Sequence, residues 1–196
     1  KILLNSWEGV YFDINQQGMD QMMADIVSMG GELFVMDDGW FGDKYPRKND
    51  SSSLGDWVVD KNKLPNGIEG LLSDAKKHGV KFGIWIEPEM ANTTSELYEK
   101  HPDWVLKASE RDVVLGRGGT QVVLDLANPA VQDFVFGVVD NLMTSYPEID
   151  YIKWDANMSV QNHGSQYLTK DNQSHMYIEF HRGFEKICPV SYTHLR

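Results

Sequence analysis

Residues 32–40 read ELFVMDDGW. A short, unbroken apolar run suits a strand buried on both faces, and two adjacent aspartates stand where that strand would surface. The design recurs twice, in KFGIWIEPE (81–89) and in YIKWDAN (151–157), each time with carboxylates at the C-terminal end. Helical patterns fill the intervals. Met19, Met22, Met23, Ile26 and Val27 follow helical spacing, and Gly30-Gly31 stops the run. Ile68, Leu71, Leu72 and Ala75 form a second stripe, ended by Gly79. Asn128-Pro129 supplies an N-cap and a first-turn proline for a third, with Phe134, Val135, Val138, Val139 and Leu142 on one face. VYFDI (10–14) reads as a first extended run and VVLDL (122–126) as another; a last helix from near Ser174 would bury Tyr177, Phe180, His181 and Phe184.

Strands alternating with amphipathic helices imply an α/β fold with a parallel sheet, because parallel strands need crossover connections. The sheet could be open and doubly wound or part of a (β/α)8 barrel. No glycine-rich phosphate turn follows the first strand, and the chemistry-bearing side chains sit at the C-terminal ends of several strands; both favour the barrel. Long connections at residues 41–66 and 90–121 leave those same ends.

Alternation orders the charges of YIKWDAN. Tyr151, Lys153, Asp155 and Asn157 point one way, and Ile152, Trp154 and Ala156 the other. With the apolar set toward the helices, the polar set lines the sheet's inner side. Lys153 would then keep Asp155 ionised, as suits a nucleophile; a structural ion pair at a strand end is the alternative. Asp37 and Asp38 could bind a polyhydroxylated ligand, could join Asp43 around a hard cation, or could cap a turn. Trp85 could be an exposed sugar platform among carboxylates or a core tryptophan with a satisfied N–H. Arg117, in LGRGGT, could reach the site or lie on the surface, and Asp125 could reach it or cap the helix after Asn128. The six histidines show no ligand spacing, and His181 reads as a core histidine.

Composition narrows the partners. A net charge of −11 disfavours nucleic acid and anionic lipid. Cys188 is the only cysteine, so no intrachain disulfide is possible and a cytoplasmic location is the default. No apolar run is long enough to span a bilayer.

The ordered set DDGWFG, LGDW, LPNGIEGL, FGIWIEPEM, SELYEKHPDW, LDLANP and YIKWDAN resembles the catalytic barrel of bacterial α-galactosidases of glycoside hydrolase family thirty-six, from about Asn5 to about Lys186. The resemblance implies a partial (β/α)8 barrel, roughly its first half with strands 1 to 4, over residues 1–187. It implies that Asp155 is the nucleophile of a retaining exo-α-galactosidase for raffinose- or melibiose-type sugars. Lys153 and Asn157 would contact the sugar, Asp37 and Asp38 its O4 and O6 hydroxyls, and Trp85 and Arg117 would also bind it. Residues 122–126 become a short accessory strand. No cofactor or metal is implied, and the full-length protein is expected to be a homo-oligomer.

A retaining glycosidase needs a second carboxyl group as acid/base. In the family it comes from a later strand. After Asp155 the only acids are Asp171, Glu179 and Glu185, in a loop and on a helix, so the acid/base is expected outside this chain. The polar run CPVSYTHLR (188–196) departs from the family pattern and reads as a non-family tail. Two further readings stand beside the hydrolase: a raffinose-synthase-like galactosyl transferase on the same scaffold, and a non-catalytic sugar-binding half-barrel. A metal-dependent hydrolase is a distant third.

Overall fold

The computed structural model of the chain describes residues 2–160 and 163–190. It begins with β1 (Leu3–Asn5), a short helix α1 (Trp7–Val10), α2 (Gln16–Ser28) and β2 (Leu33–Met36). After a long loop come α3 (Gly67–His78), β3 (Lys81–Ile86), β4 (Met90–Asn92), α4 (Glu96–Lys100) and β5 (Gln121–Val123). The order ends with α5 (Pro129–Ser145), β6 (Tyr151–Trp154) and α6 (Met176–Ile187).

Strands β1, β2, β3 and β6 form one parallel sheet in that order, and among the described residues it does not close. β4 and β5 pair antiparallel in a separate ladder, so the run at 122–126 is accessory to the main sheet. The register sets the faces. Asn5 pairs with Val35, Val35 with Gly83, Gly83 with Tyr151 and Trp85 with Lys153, which puts the polar strand ends on one side. Phe34, Met36, Phe82 and Ile84 alternate with that set and are buried in the core shared with Met19, Met23, Ile26, Leu71 and Ala75 of the helices. Asn15 caps α2 by accepting from Gly18 N, Gly79 ends α3 in the left-handed region at φ 71°, and Asn128 caps α5 by accepting from Ala130 N. None of the described helices is long and apolar enough to cross a membrane.

Two sequence expectations are corrected. The first strand is Leu3–Asn5; residues 10–14 end α1 and turn into α2. A three-residue strand is too short to carry an alternation signal, whereas VYFDI is β-prone by composition alone. In α6 the buried face is Met176, Phe180, Gly183 and Ile187, while Tyr177 and His181 are exposed. The helix is rotated by Gly183: a Cβ there would lie 1.9 Å from the Leu126 carbonyl oxygen, so this glycine lets α6 pack against backbone. A glycine adds no apolar mark to the pattern, which is why the aromatic residues misplace the stripe. Of the tail read from Cys188 onward, residues 191–196, His194 included, lie outside the described residues.

Candidate active site

Asp37, Asp38, Trp85, Arg117, Lys153, Asp155 and Asn157 come together around one cavity of about 110 Å³ at the C-terminal ends of the parallel strands. Trp7, Asp50 and Glu87 line it as well. A larger, more open groove of about 1010 Å³ lies elsewhere, between the loop near Trp57 and the face of α5 that carries Phe134, Val138 and Leu142. It contains none of the seven, so volume does not mark the chemistry here; convergent charge does.

The small cavity is built by links between strand ends. Asp37, which follows β2, is buried; its Oδ2 accepts from Asn5 Nδ2 at 2.7 Å and from Lys153 Nζ at 2.8 Å, and its Oδ1 accepts from Asp38 N. Lys153 therefore pairs with Asp37, not with the aspartate two places along its own strand. Asp155 is held from β3 instead. Trp85 Nε1 donates to its Oδ2 at 3.0 Å, Asp155 N donates to the Ile86 carbonyl, and Ala156 N donates to Oδ1. Burial alone would raise the Asp155 carboxyl, but hydrogen bonds from Trp85 and Asn157 and the charge of Lys153 outweigh it and hold the group below its ordinary value. It stays ionised at neutral pH, as a carboxylate nucleophile must.

Trp85 is 2% exposed and stacks 6.2 Å from Phe41, so it is no exposed platform. It is a core tryptophan whose N–H is satisfied by the aspartate at the cavity. Its neighbour in phase, Glu87, is equally buried; Glu87 Oε1 accepts from Asn157 N at 2.7 Å and from Asn157 Nδ2 at 2.9 Å. Burial pushes Glu87 up to about 7 and Glu89, which accepts from Trp154 Nε1 on the helix-facing side, up to about 8.

Asp38 has a partner with no sequence signal. Arg47, from the loop after β2, is fully buried and donates from Nε and Nη2 to the two Asp38 oxygens at 2.9 and 2.6 Å. Its Nη1 donates to the Ser52 carbonyl and to Asn92 Oδ1 in β4. Burial raises the Asp38 carboxyl even though Arg47 opposes the shift. With Lys153 on Asp37 and Arg47 on Asp38, side-chain cations occupy the places that the divalent-cation reading reserved for a metal. Beside them, Lys63 Nζ donates to the Phe12, Gly39 and Arg47 carbonyls, each at 2.7 Å, and clasps three loops beneath the aspartates. Arg117 sits at the rim, 3.5 Å from Asp50 and partly exposed. Asp125 is elsewhere. It is buried, accepts from Ala127 N and from Ser165 Oγ, and anchors the loop before α6.

Trp7, Asp50 and Glu87 in the cavity wall, and Asn5 and Arg47 behind the twin aspartates, are residues that sequence reading did not nominate. Glu87 alone had a legible signal, since it shares the strand phase of Trp85. Asn5 lies on a strand too short to read, and Arg47 arrives by a fold-back of the chain.

A family model described as Melibiase matches residues 1–189. The chain is 46% identical over 165 residues to a probable alpha-galactosidase C of Aspergillus flavus, covering 81% of this chain and 22% of that one. It is 42% identical over 180 residues to alpha-galactosidase AgaA of Geobacillus stearothermophilus, covering 90% and 24%. A solved structure of a variant of that enzyme, described as a glycoside hydrolase family 36 alpha-galactosidase in complex with 1-deoxygalactonojirimycin, superposes with a TM-score of 0.92 at 38% identity, covering 99% of this chain and 26% of that one. Another variant of it was solved with raffinose and superposes at 0.91, with 38% identity over 98% of this chain and 26% of that one. The chain thus spans about a quarter of the length of the relatives it matches. Matched over nearly all of its residues, and carrying its convergent carboxylates on the strand ends that the motifs marked, the chain belongs to the melibiase family.

Proposed function

We propose that this chain is the nucleophile-bearing part of a retaining exo-α-galactosidase, the first half of a (β/α)8 barrel, acting on terminal α-galactosides of raffinose or melibiose type. The observation that carries the reading is Asp155: a carboxylate kept ionised by Trp85, Asn157 and Lys153 and facing the cavity that also holds Asp37 and Asp38. In the reaction an Asp155 oxygen attacks the anomeric carbon. The bond to the leaving oxygen breaks as a second carboxyl protonates it, and water then cleaves the galactosyl-Asp155 ester with that second group as base. We assign the second carboxyl to a strand outside these 196 residues. Asp37, Asp38, Lys153 and Asn157 hold the sugar's hydroxyls, Arg117 closes the rim, and Trp85 acts chiefly by fixing Asp155. The solution of a related enzyme with raffinose bound supports the substrate class.

The test is hydrolysis of an aryl α-galactoside by the full-length protein carrying this chain. Asp155→Ala is expected to abolish turnover, and azide to restore it as a β-galactosyl azide, the product of attack from the vacated side. Near-normal turnover by Asp155→Ala, or by-product azide of α configuration, would refute the assignment.

A further inference from the structure

We propose that Glu87 is a positioning residue for this reaction, acting through Asn157 to set both the Asp155 carboxylate and the polarity of the amide at the cavity wall; the inference rests on the reading of Asp155 and Asn157 given above. Three consecutive residues at the end of β3 hold the turn after β6. Trp85 Nε1 donates to Asp155 Oδ2, the Ile86 carbonyl accepts from Asp155 N, and Glu87 Oε1 accepts from both the backbone N and Nδ2 of Asn157. Asn157 is also among the groups that keep the Asp155 carboxyl ionised, so Glu87 holds in place a residue that acts on the proposed nucleophile.

An asparagine amide can present either end. The Asn157 backbone N–H already donates to Glu87 Oε1, so that oxygen is the acceptor whether or not the other carries a proton; it turns Nδ2 toward Glu87 and leaves Asn157 Oδ1 for the cavity. The wall there becomes a hydrogen-bond acceptor, which suits a sugar hydroxyl donating into it. Glu87 is 2% exposed and its neighbour Pro88 stiffens the backbone, so the acceptor is rigidly placed.

The test uses the full-length protein with an aryl α-galactoside. Glu87→Ala should lower kcat/KM by about 100-fold, the scale of a misplaced catalytic group. Glu87→Gln, which keeps an acceptor oxygen, should recover about ten-fold of that loss. In a double-mutant cycle, Glu87→Ala should cost less on top of Asn157→Ala than it does alone, because the side-chain contact is already gone and only the backbone contact of residue 157 remains to be lost. A reciprocal exchange keeps the idea testable even if Glu87→Ala does not fold. Asn157→Asp alone sets two carboxylates against each other and should be severely impaired; adding Glu87→Gln supplies the missing donor and should raise activity about ten-fold. The inference is overturned if Glu87→Ala stays within about three-fold of the parent, if its effect multiplies with that of Asn157→Ala, if Glu87→Gln is as poor as Glu87→Ala, or if the exchange brings no recovery. Failure of the parent to cleave the galactoside would instead refute the proposed function, so the two failures are distinct.

Discussion

Lys153 Nζ lies 2.8 Å from Asp37 Oδ2 although β3 separates their strands in the sheet. The lysine reaches over its neighbour to serve an aspartate that is almost fully buried, while Asp155 is left to the indole of Trp85. The two carboxylates closest to the proposed chemistry are thus supported separately. One has a cation; the other has hydrogen bonds, with the same cation acting at a distance.

Lys153→Ala removes a direct partner from Asp37 and the favourable field from Asp155. Asn5 remains as one donor to Asp37, so the pair is not wholly undone. Because the lysine is about one-third exposed, the stability cost should be about 1–3 kcal/mol, less than that of a fully buried pair. The activity loss should be larger in proportion, about 100-fold or more in kcat/KM, with Lys153→Arg unable to rescue because a planar guanidinium cannot occupy the ammonium's place. Steady-state kinetics beside a denaturant midpoint would separate the two effects. A loss of stability without a loss of kcat/KM would contradict the role given to Lys153.

Arg47 and Asp38 form a bidentate pair in which both side chains are buried. Removing the cation alone strands a carboxylate in the interior, so Arg47→Met should cost about 3–5 kcal/mol. Arg47→Lys should help little, since one ammonium cannot serve two Asp38 oxygens, the Ser52 carbonyl and Asn92 together. Asp38→Asn added to Arg47→Met should recover part of the loss, because the stranded charge is then gone. Urea midpoints of the three variants check the order; a double variant less stable than Arg47→Met would mean that packing, not charge, governs the loop.

Gly39 carries the chain from the twin aspartates into the loop at φ +116°, and a Cβ there would lie 3.0 Å from Phe12 Cα and 3.1 Å from Phe12 O. Gly39→Ala must strain the backbone or push Phe12 away, and either shifts the peptide that Lys63 clasps. The expected cost is about 1–3 kcal/mol. Asp37 and Asp38 would move with the turn, so KM for the galactoside should rise more than kcat falls. Unchanged KM with normal stability would show that the turn has room to spare.

The legible parts of this protein are those in which one strand or helix carries its own signal. Three buried strands, three capped or glycine-ended helices and the phase of YIKWDAN could be read because burial writes itself as period and punctuation. All seven nominated residues meet at one cavity for the same reason: each lies at a strand end or in a loop that leaves one. What could not be read depends on contacts far apart in the chain. The partner of Lys153 is 116 positions away, and Arg47 reaches Asp38 only because Asn92 and Lys63 fold the loop back. Trp85 was legible as a tryptophan in the core or at the site, but only the fold shows that one indole serves both. Gly183 misled the reading of α6 because packing against backbone requires the absence of a side chain.

Glu89 gives the stability of this region a pH dependence whose sign can be worked out. Burial first, then the charges of Glu87 and Asp155, raise it from the ordinary 4.5 to about 8, against the hydrogen bond from Trp154. The folded state therefore binds this proton more tightly than the unfolded chain does. Its favourable contribution is complete below about pH 4.5 and is lost as pH rises through about 8. Glu87, raised to about 7, acts in the same direction over a lower range. Glu89→Gln keeps an acceptor for Trp154 and removes the titration. It should leave the melting temperature of the full-length protein nearly unchanged at about pH 5 and raise it by several degrees at about pH 9, relative to the parent at each pH. Glu87→Gln should do the same with its rise already present at about pH 8. If Glu89→Gln instead destabilises the protein equally at both pH values, Glu89 is ionised throughout and an ionic partner outside these residues must be holding it there.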